Sequence, residues 1–374
     1  MKTAIVHEWF VDYMGSEKCV ESFNNIYPQS DVFSLIDFLD ESDRKKILKG
    51  KHAKTSFIQK LPRARTSYRS FLPLFPLAIE QLDVSDYDVI ISSSHSVAKG
   101  VLTNSKQLHI CYCHTPMRYA WDLYHQYILE SGLQKGIKAF FAKYFLHKIR
   151  MWDFISSNRV DYFIANSNYI AKRIKKIYGR DADVIYPPVD IDKFELTKVK
   201  EDYYLIVARF VPYKKVDIVV DAFTKLTSHK LIVIGSGPDE HKLKKIATSN
   251  IEFKGYQNDS DLTKLMQKAK AFIYAAEEDF GITIVEAQAA GTPVIAYGEG
   301  GAKETVVPGK TGILFNKQTS DSLINAVNEF EKSIQDFNPQ TISDHAKQFS
   351  RQVFESRIKE YVEVKYQEFL TAGN

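Results

Sequence analysis

With 374 residues, 44% hydrophobic and 26% charged, the chain is long enough for two domains, each with its own core. A mean hydropathy of −0.26 and the lack of any apolar run of about 18 residues argue against a membrane-spanning helix. The net charge of +4 is modest. Cys19, Cys111 and Cys113 fit neither a disulfide framework nor a four-ligand metal site, so a cytoplasmic protein is expected.

The chain opens on a strand expected over residues 2–6 rather than on a signal peptide, because the apolar run is short and no cleavage pattern follows. Gly15-Ser16-Glu17 comes next. It reads either as a source of backbone N–H groups for a ligand, through Gly15, or as a cap with Ser16 as N-cap of a helix over 16–26. Strands are expected at 31–36, 87–92, Leu108–Cys113 and Tyr162–Ala165, with helices over about 133–156 and Asn168–Tyr178. From Arg44 to Arg69 there are ten Lys/Arg and no Asp/Glu, leading into the apolar Phe71-Leu72-Pro73-Leu74-Phe75-Pro76-Leu77. A second basic stretch carries Lys135, Lys138, Lys143, Lys148 and Arg150 with apolar residues between them. A solvated basic face fits both segments, and so does contact with an anionic membrane surface or a lipid-diphosphate acceptor. Nucleic acid is not expected, since no recognised motif accompanies the charge.

Tyr186-Pro187-Pro188-Val189-Asp190 interrupts the alternation of strands and helices and reads as a linker, because two prolines continue neither a helix nor a central strand. The alternation restarts, with strands expected at 203–208, 230–234, 251–253, 271–275, 293–296 and 312–314 and a final helical stretch over 343–370. The fold class is therefore α/β, two doubly wound Rossmann-like halves. Residues 1–186 would form one Rossmann-like domain and 187–350 the second, with a helix over 351–374 packing back on the first. Ligands in such folds bind at the carboxyl ends of the strands, here in an expected cleft facing both sheets.

The most informative stretch is Glu278-Asp279-Phe280-Gly281-Ile282-Thr283-Ile284-Val285-Glu286, which follows an apolar strand and leads into a helix closed by Gly291. The N–H groups of Phe280, Gly281 and Ile282 at the helix start suit phosphate, and the carboxylates suit hydroxyl groups of the same ligand. A sugar nucleotide has both. Arg209 and Lys214, just past the strand at 203–208, would meet the charge that builds on a departing diphosphate. Gly235-Ser236-Gly237-Pro238 is a tight strand-to-helix turn near a nucleotide rather than a dinucleotide cradle, since Glu240 replaces the third glycine of that fingerprint. Gly300-Gly301 is another such turn, and base recognition is expected near Gly255-Tyr256. His114 ends the strand Leu108–Cys113 and faces either the sugar or the acceptor, or is structural. Asp190-Ile191-Asp192 imitates a D-x-D metal motif but lies in the linker without a flanking strand, so no metal site is expected.

Together these residues resemble the family 4 retaining glycosyltransferases, which have the GT-B fold. The resemblance rests on the E-x7-E element from Glu278 to Glu286 with Ala287-Gln288-Ala289-Ala290-Gly291-Thr292-Pro293 after it. It rests also on Arg209 and Lys214 at the family spacing, the Pro-Pro linker, and Asn166-Ser167-Asn168-Tyr169 before that linker. It implies that Arg209 and Lys214 neutralise the leaving diphosphate, Glu286 accepts from the ribose and Glu278 holds the donor sugar. The amides of Phe280, Gly281 and Ile282 would lie near sugar or phosphate, and His114 would stand beside the donor sugar. Transfer would proceed from the front face with retention, without a metal or other cofactor. The stretch from Cys113 to Trp121 resembles bacterial mannosyl- and rhamnosyl-type transferases of surface polysaccharide assembly. That implies GDP-mannose as donor and a glycan or polyprenyl-diphosphate-linked acceptor, with the enzyme cytoplasmic and peripheral on the inner face of the cell membrane.

Two positions depart from the family pattern. Met14 replaces the first glycine of its N-terminal pair, leaving Gly15, and Lys215 stands where glycine is common. A UDP-sugar donor, an epimerase or hydrolase on the same architecture, and a catalytically silent glycan-binding partner are the alternatives. An NAD-dependent oxidoreductase is disfavoured by the missing G-x-G-x-x-G after the first strand.

Overall fold

The structure, a computed structural model, describes residues 1–197 and 199–372. The chain divides into two compact units, Met1–Pro188 with the chain from Phe354 onward, and Val189–Val353.

The first unit is built on strands β1 (Thr3–Phe10), β2 (Asp31–Asp37), β3 (Lys54–Thr55), β4 (Val89–Ser94), β5 (Leu108–Cys113), β6 (Tyr162–Ala165) and β7 (Ala182–Val184). They form one parallel sheet in the order β3-β2-β1-β4-β5-β6-β7. A parallel sheet covered on both faces buries both sides of each central strand, so β1 and β4 open on apolar runs, Ala4-Ile5-Val6 and Val89-Ile90-Ile91. The edge strands β3 and β7 are two and three residues long and pair on one side only, so no apolar run announces them. The first strand runs to Phe10, past the expected end at Val6, because His7 and Glu8 are buried inside it with polar partners. The helix expected from about residue 133 begins at Ile137, after Gly136 at φ 87°.

The second unit carries β8 (Tyr204–Val207), β9 (Leu231–Ile234), β10 (Ile251–Gly255), β11 (Ala271–Tyr274), β12 (Val294–Tyr297) and β13 (Gly312–Phe315). All are parallel, in the order β10-β9-β8-β11-β12-β13. In each sheet the winding reverses once, between β1 and β4 and between β8 and β11. Connections leave to opposite faces there, opening a crevice beyond the strand ends, where ligands bind in doubly wound folds.

The helical stretch expected over 343–370 is broken. Helix Pro339–Ala346 gives way to one 3₁₀ turn, Lys347–Phe349, and helix Arg351–Ala372 follows. The linker causes the break: Val189 N–H donates to the Phe349 carbonyl at 3.0 Å, and Arg351 N–H donates to the Val189 carbonyl at 3.2 Å. From Phe354 onward the last helix packs within the first unit, with the Phe354 ring 5.8 Å from Phe23 and 5.5 Å from Tyr112, between centroids. Among the described residues no helix is long and apolar enough to cross a membrane.

Candidate active site

In the second unit the loops after β8 and β11 meet at the reversal point. Lys214, in the 3₁₀ turn Pro212–Lys214, donates to Oε1 of Glu278, and Tyr274, the last residue of β11, donates through its hydroxyl to Oε2. Both carboxylate oxygens of Glu278 are thereby held, and the ion pair is partly shielded from water. Arg209 is exposed on the same β8 loop, and among the described residues its side chain makes no hydrogen bond or ion pair. The site therefore pairs a fixed carboxylate and ammonium with a guanidinium open to an anion. Lys215 has φ 55°, the left-handed region, which explains why glycine is common there.

Four glycines hold these loops by close approach. A Cβ at Gly235 would sit 1.9 Å from the Ala208 carbonyl oxygen, and one at Gly237 would sit 2.4 Å from that of Phe210. The turn after β9 thus presses against the loop that carries Arg209. A Cβ at Gly300 would meet the Glu278 carbonyl oxygen at 2.3 Å, and Gly301 donates its N–H to that same oxygen at 2.8 Å. Both turns support the loops bearing the charged residues, a packing role that a glycine count cannot separate from phosphate binding. Gly281 adopts φ 84° and starts helix Ile282–Ala289, with Ile284 N–H donating back to its carbonyl at 3.0 Å. The Phe280 ring is buried against Phe349, centroids 5.6 Å apart, so its side chain anchors the loop.

Glu286 is buried one turn into that helix, and Lys193 donates to its Oε1 at 3.2 Å. Sequence reasoning passed over Lys193, which no motif marks. Asp190, the first acid of the D-x-D imitation, accepts from Nε and Nη2 of Arg351 at 2.8 and 2.7 Å. Among the described residues no group of three or more His, Cys, Asp or Glu side chains is placed to hold a metal ion. Tyr256, just past β10, is 83% exposed, and the Gly255 carbonyl before it accepts from Gly235 N–H at 3.0 Å.

In the first unit the ends of β1, β4 and β5 carry a polar cluster, of which the sequence pointed to His114 and to Gly15-Ser16-Glu17. Glu8 is fully buried. Its Oε1 accepts from the Ser94 hydroxyl at 3.0 Å and from the N–H groups of His95, Ser96 and Ala98 at 3.0, 2.8 and 3.1 Å. Burial pushes its pKa up, but the charges of His95 and His7 and the N–H donors outweigh this and hold it at about 2. His7 lies between Glu8 and Glu17, its Nε2 3.3 Å from Glu17 Oε1 and its Nδ1 3.1 Å from the Ser93 carbonyl. Burial works against its charged form; the hydrogen bond and charge of Glu17 and the charge of Glu8 prevail, and its pKa is raised.

Glu17 also accepts from Met14 N–H at 3.1 Å and from the Ser16 hydroxyl at 3.0 Å. This corrects the expected cap: Met14, not Ser16, is the N-cap of helix Gly15–Ile26, and the Glu17 side chain does the capping. Met14 has φ −126°, extended backbone that needs no glycine. His114 bonds through Nε2 to the Ser93 hydroxyl at 2.8 Å. Burial, then the charges of His95 and His7, push its pKa down to about 3, so it is neutral near pH 7. The missed residues did leave a sign in the sequence. His7-Glu8 interrupts an apolar strand, and Ser92-Ser93-Ser94-His95-Ser96 ends another with an unbroken polar run.

Residues 37–193 match the family model described as Glycosyltransferase Family 4, and residues 189–348 match Glycosyl transferases group 1. Between them the two models span residues 37–348 of this chain. Its two parallel-sheet units make the GT-B fold. The Anabaena HepE structure in complex with UDP-glucose shares that fold at a TM-score of 0.69 and 19% identity, over 97% of this chain and 100% of that one. A lipopolysaccharide outer core galactosyltransferase, WaaB, matches at 0.68 and 19%, over 98% and 100%. In sequence, D-inositol 3-phosphate glycosyltransferases of Mycobacterium bovis and Mycobacterium tuberculosis are 32% identical over 42% of this chain. The chain spans only 38% of the length of those curated relatives in that match.

Proposed function

We propose that the chain is a retaining glycosyltransferase that moves a hexose from a nucleotide sugar to a glycan or polyprenyl-diphosphate-linked acceptor in surface polysaccharide assembly. The observation that carries this reading is the Lys214–Glu278 pair at the β8/β11 reversal, beside the exposed Arg209 and the start of helix Ile282–Ala289. Negative charge grows on the leaving diphosphate as the glycosidic C–O bond breaks, and two cations with helix-start amides oppose it. Glu278, held by Tyr274, accepts from hydroxyl groups of the sugar, and Glu286 from those of the ribose. The acceptor oxygen bonds to the anomeric carbon on the face the diphosphate leaves, and its proton passes to the departing phosphate. Arg209 and Lys214 take the charge-neutralising role, so no metal or other cofactor is required. The enzyme works in the cytoplasm, at the inner face of the membrane.

Two donors are favoured by different observations. The stretch from Cys113 to Trp121 favours GDP-mannose, and the UDP-glucose held by HepE favours a UDP-hexose. A thermal-shift panel separates them, since a ligand at 100 times its Kd adds about 2.7 kcal/mol. The stabilising donor should then label a polyprenyl-diphosphate or glycan acceptor with retained anomeric configuration. Consumption of the donor with no glycoside formed would instead indicate an epimerase or hydrolase, and binding without turnover a silent partner.

A further inference from the structure

The helix Ile137–Ser156 packs with one face and leaves the opposite face apolar in solvent. Ala139, Leu146, Ile149, Asp153 and Ser156 are its buried residues, spaced for one side of the cylinder. Ile137, Phe141, Tyr144, Lys148, Met151 and Ile155 recur at intervals of four and three along the other side, and all are exposed. Phe140 and Phe145 flank that stripe. Ile137 is 75% exposed and Phe140 66%. A helix of a water-soluble domain normally turns polar residues outward, whereas this one exposes a stripe with four aromatic rings, the kind of surface that marks an interaction site.

Along the helix and the turn before it the exposed charge is of one sign. From Ser131 to Trp152 the chain has five Lys/Arg and no Asp/Glu. The helix's single acid, Asp153, is buried in an ion pair with Lys99. The geometry points to this helix as the element that docks the protein on an anionic lipid bilayer, its aromatic stripe in the headgroup region and Lys138, Lys143 and Lys148 against lipid phosphates. A symmetric contact with a second copy would set these lysines against their own counterparts, which disfavours that occupant. The Arg44–Arg69 segment is a weaker candidate because its cations are partly used in the fold. Arg44 is buried 2.5 Å from Asp37, Lys51 bonds the Ser30 carbonyl at 2.7 Å, and Lys54 bonds Asp31 at 3.1 Å. The inference deepens the membrane placement within the proposed function and does not depend on the transfer chemistry.

The test is sedimentation of the full chain with vesicles of phosphatidylcholine alone and of equal parts phosphatidylcholine and phosphatidylglycerol, without any nucleotide sugar. The protein should pellet with the anionic vesicles only, and less in high salt. F140S/F141S should stay in the supernatant. K138E/K143E/K148E should bind about a hundredfold or more weakly, roughly fivefold for each lysine lost. All substituted residues are exposed, so thermal melting should match the parent, and Tyr144→Trp should show a blue-shifted emission on anionic vesicles. The proposal is overturned if the parent chain remains in the supernatant with anionic vesicles, or if both variants pellet like it. It is equally overturned by a dimer that F140S/F141S dissolves, which would assign the face to a second copy. Failure of glycosyl transfer with intact vesicle binding would sink only the enzymatic reading.

Discussion

Lys214 and Glu278 are joined across the point where the second sheet reverses, one from the loop after β8 and the other from the loop after β11. The pair fixes the carboxylate, and Tyr274 holds its other oxygen. Lys214→Ala and Glu278→Gln should each lower kcat about 10²–10³-fold, the loss seen when one preorganised charge-stabilising group is removed. Tyr274→Phe removes one hydrogen bond to Glu278 and should cost about tenfold. Single-turnover rates with saturating donor check this. Near-parental rates for both Lys214→Ala and Glu278→Gln would remove the site from this location.

Glu286 is predicted to act in binding rather than in the chemical step, because the ribose does not change charge during transfer. Glu286→Gln should raise the donor KM about tenfold or more, the value of a hydrogen bond to a charged group, and leave kcat within a few-fold. A matching fall in kcat with KM unchanged would place Glu286 at the reacting carbon instead. Lys193→Met should show a milder effect of the same type, since it removes a hydrogen bond to the carboxylate and leaves the carboxylate in place.

The central strands were legible because a covered parallel sheet demands apolar runs, and the Glu278–Glu286 element because strand, glycine turn and helix start leave a local signature. Tyr274 was hidden inside one of those runs, where a tyrosine looks like any other core residue. His7 and Glu8 were missed because burying polar residues in a strand is stable only with partners such as Ser93, Glu17 and the N–H groups of His95, Ser96 and Ala98. Those partners come from distant parts of the chain. Glycines 235, 237, 300 and 301 looked like ligand-facing turns, and only the fold shows the neighbouring loops that forbid a Cβ.

Mild acid should destabilise the first unit through its buried histidines. His109, fully buried against the Ser92 hydroxyl, has its pKa lowered to about 4 by burial, and His114 has its lowered to about 3. In each case the unfolded chain takes up a proton first as pH falls below about 6.5, so stability drops by roughly 1.4 kcal/mol per pH unit per group until the folded pKa is reached. His7 has the opposite sign: its raised pKa contributes stability below about 6.5 that is lost as pH rises through the folded value. Glu8 contributes stability that is full above its ordinary pKa and is lost progressively as pH falls from there to about 2. Urea titrations between neutral pH and about 4.5 should show the fall, and His109→Gln should flatten it. A curve for that variant parallel to the parent would show that His109 is solvated in the folded state.

Lys99 and Asp153 form a buried ion pair beneath the loop that carries His95. Trp121 Nε1 and the Tyr178 hydroxyl donate to the second carboxylate oxygen at 2.8 and 2.9 Å, and Lys99 Nζ also donates to the Ser96 carbonyl at 3.2 Å. Replacing one partner strands the other charge away from water, so Lys99→Met or Asp153→Asn should each cost about 3–5 kcal/mol. The double variant leaves no uncompensated charge and should cost clearly less than the sum, even though Trp121 and Tyr178 lose a strong acceptor. The loss should extend beyond the pair, because Lys99 follows directly on the turn whose N–H groups hold Glu8. Hydrogen exchange at Ser96 and Ala98 should therefore quicken in Lys99→Met by more than the global unfolding accounts for. Strictly additive single variants would mean that the two charges are solvated independently, and that the turn keeps its shape without them.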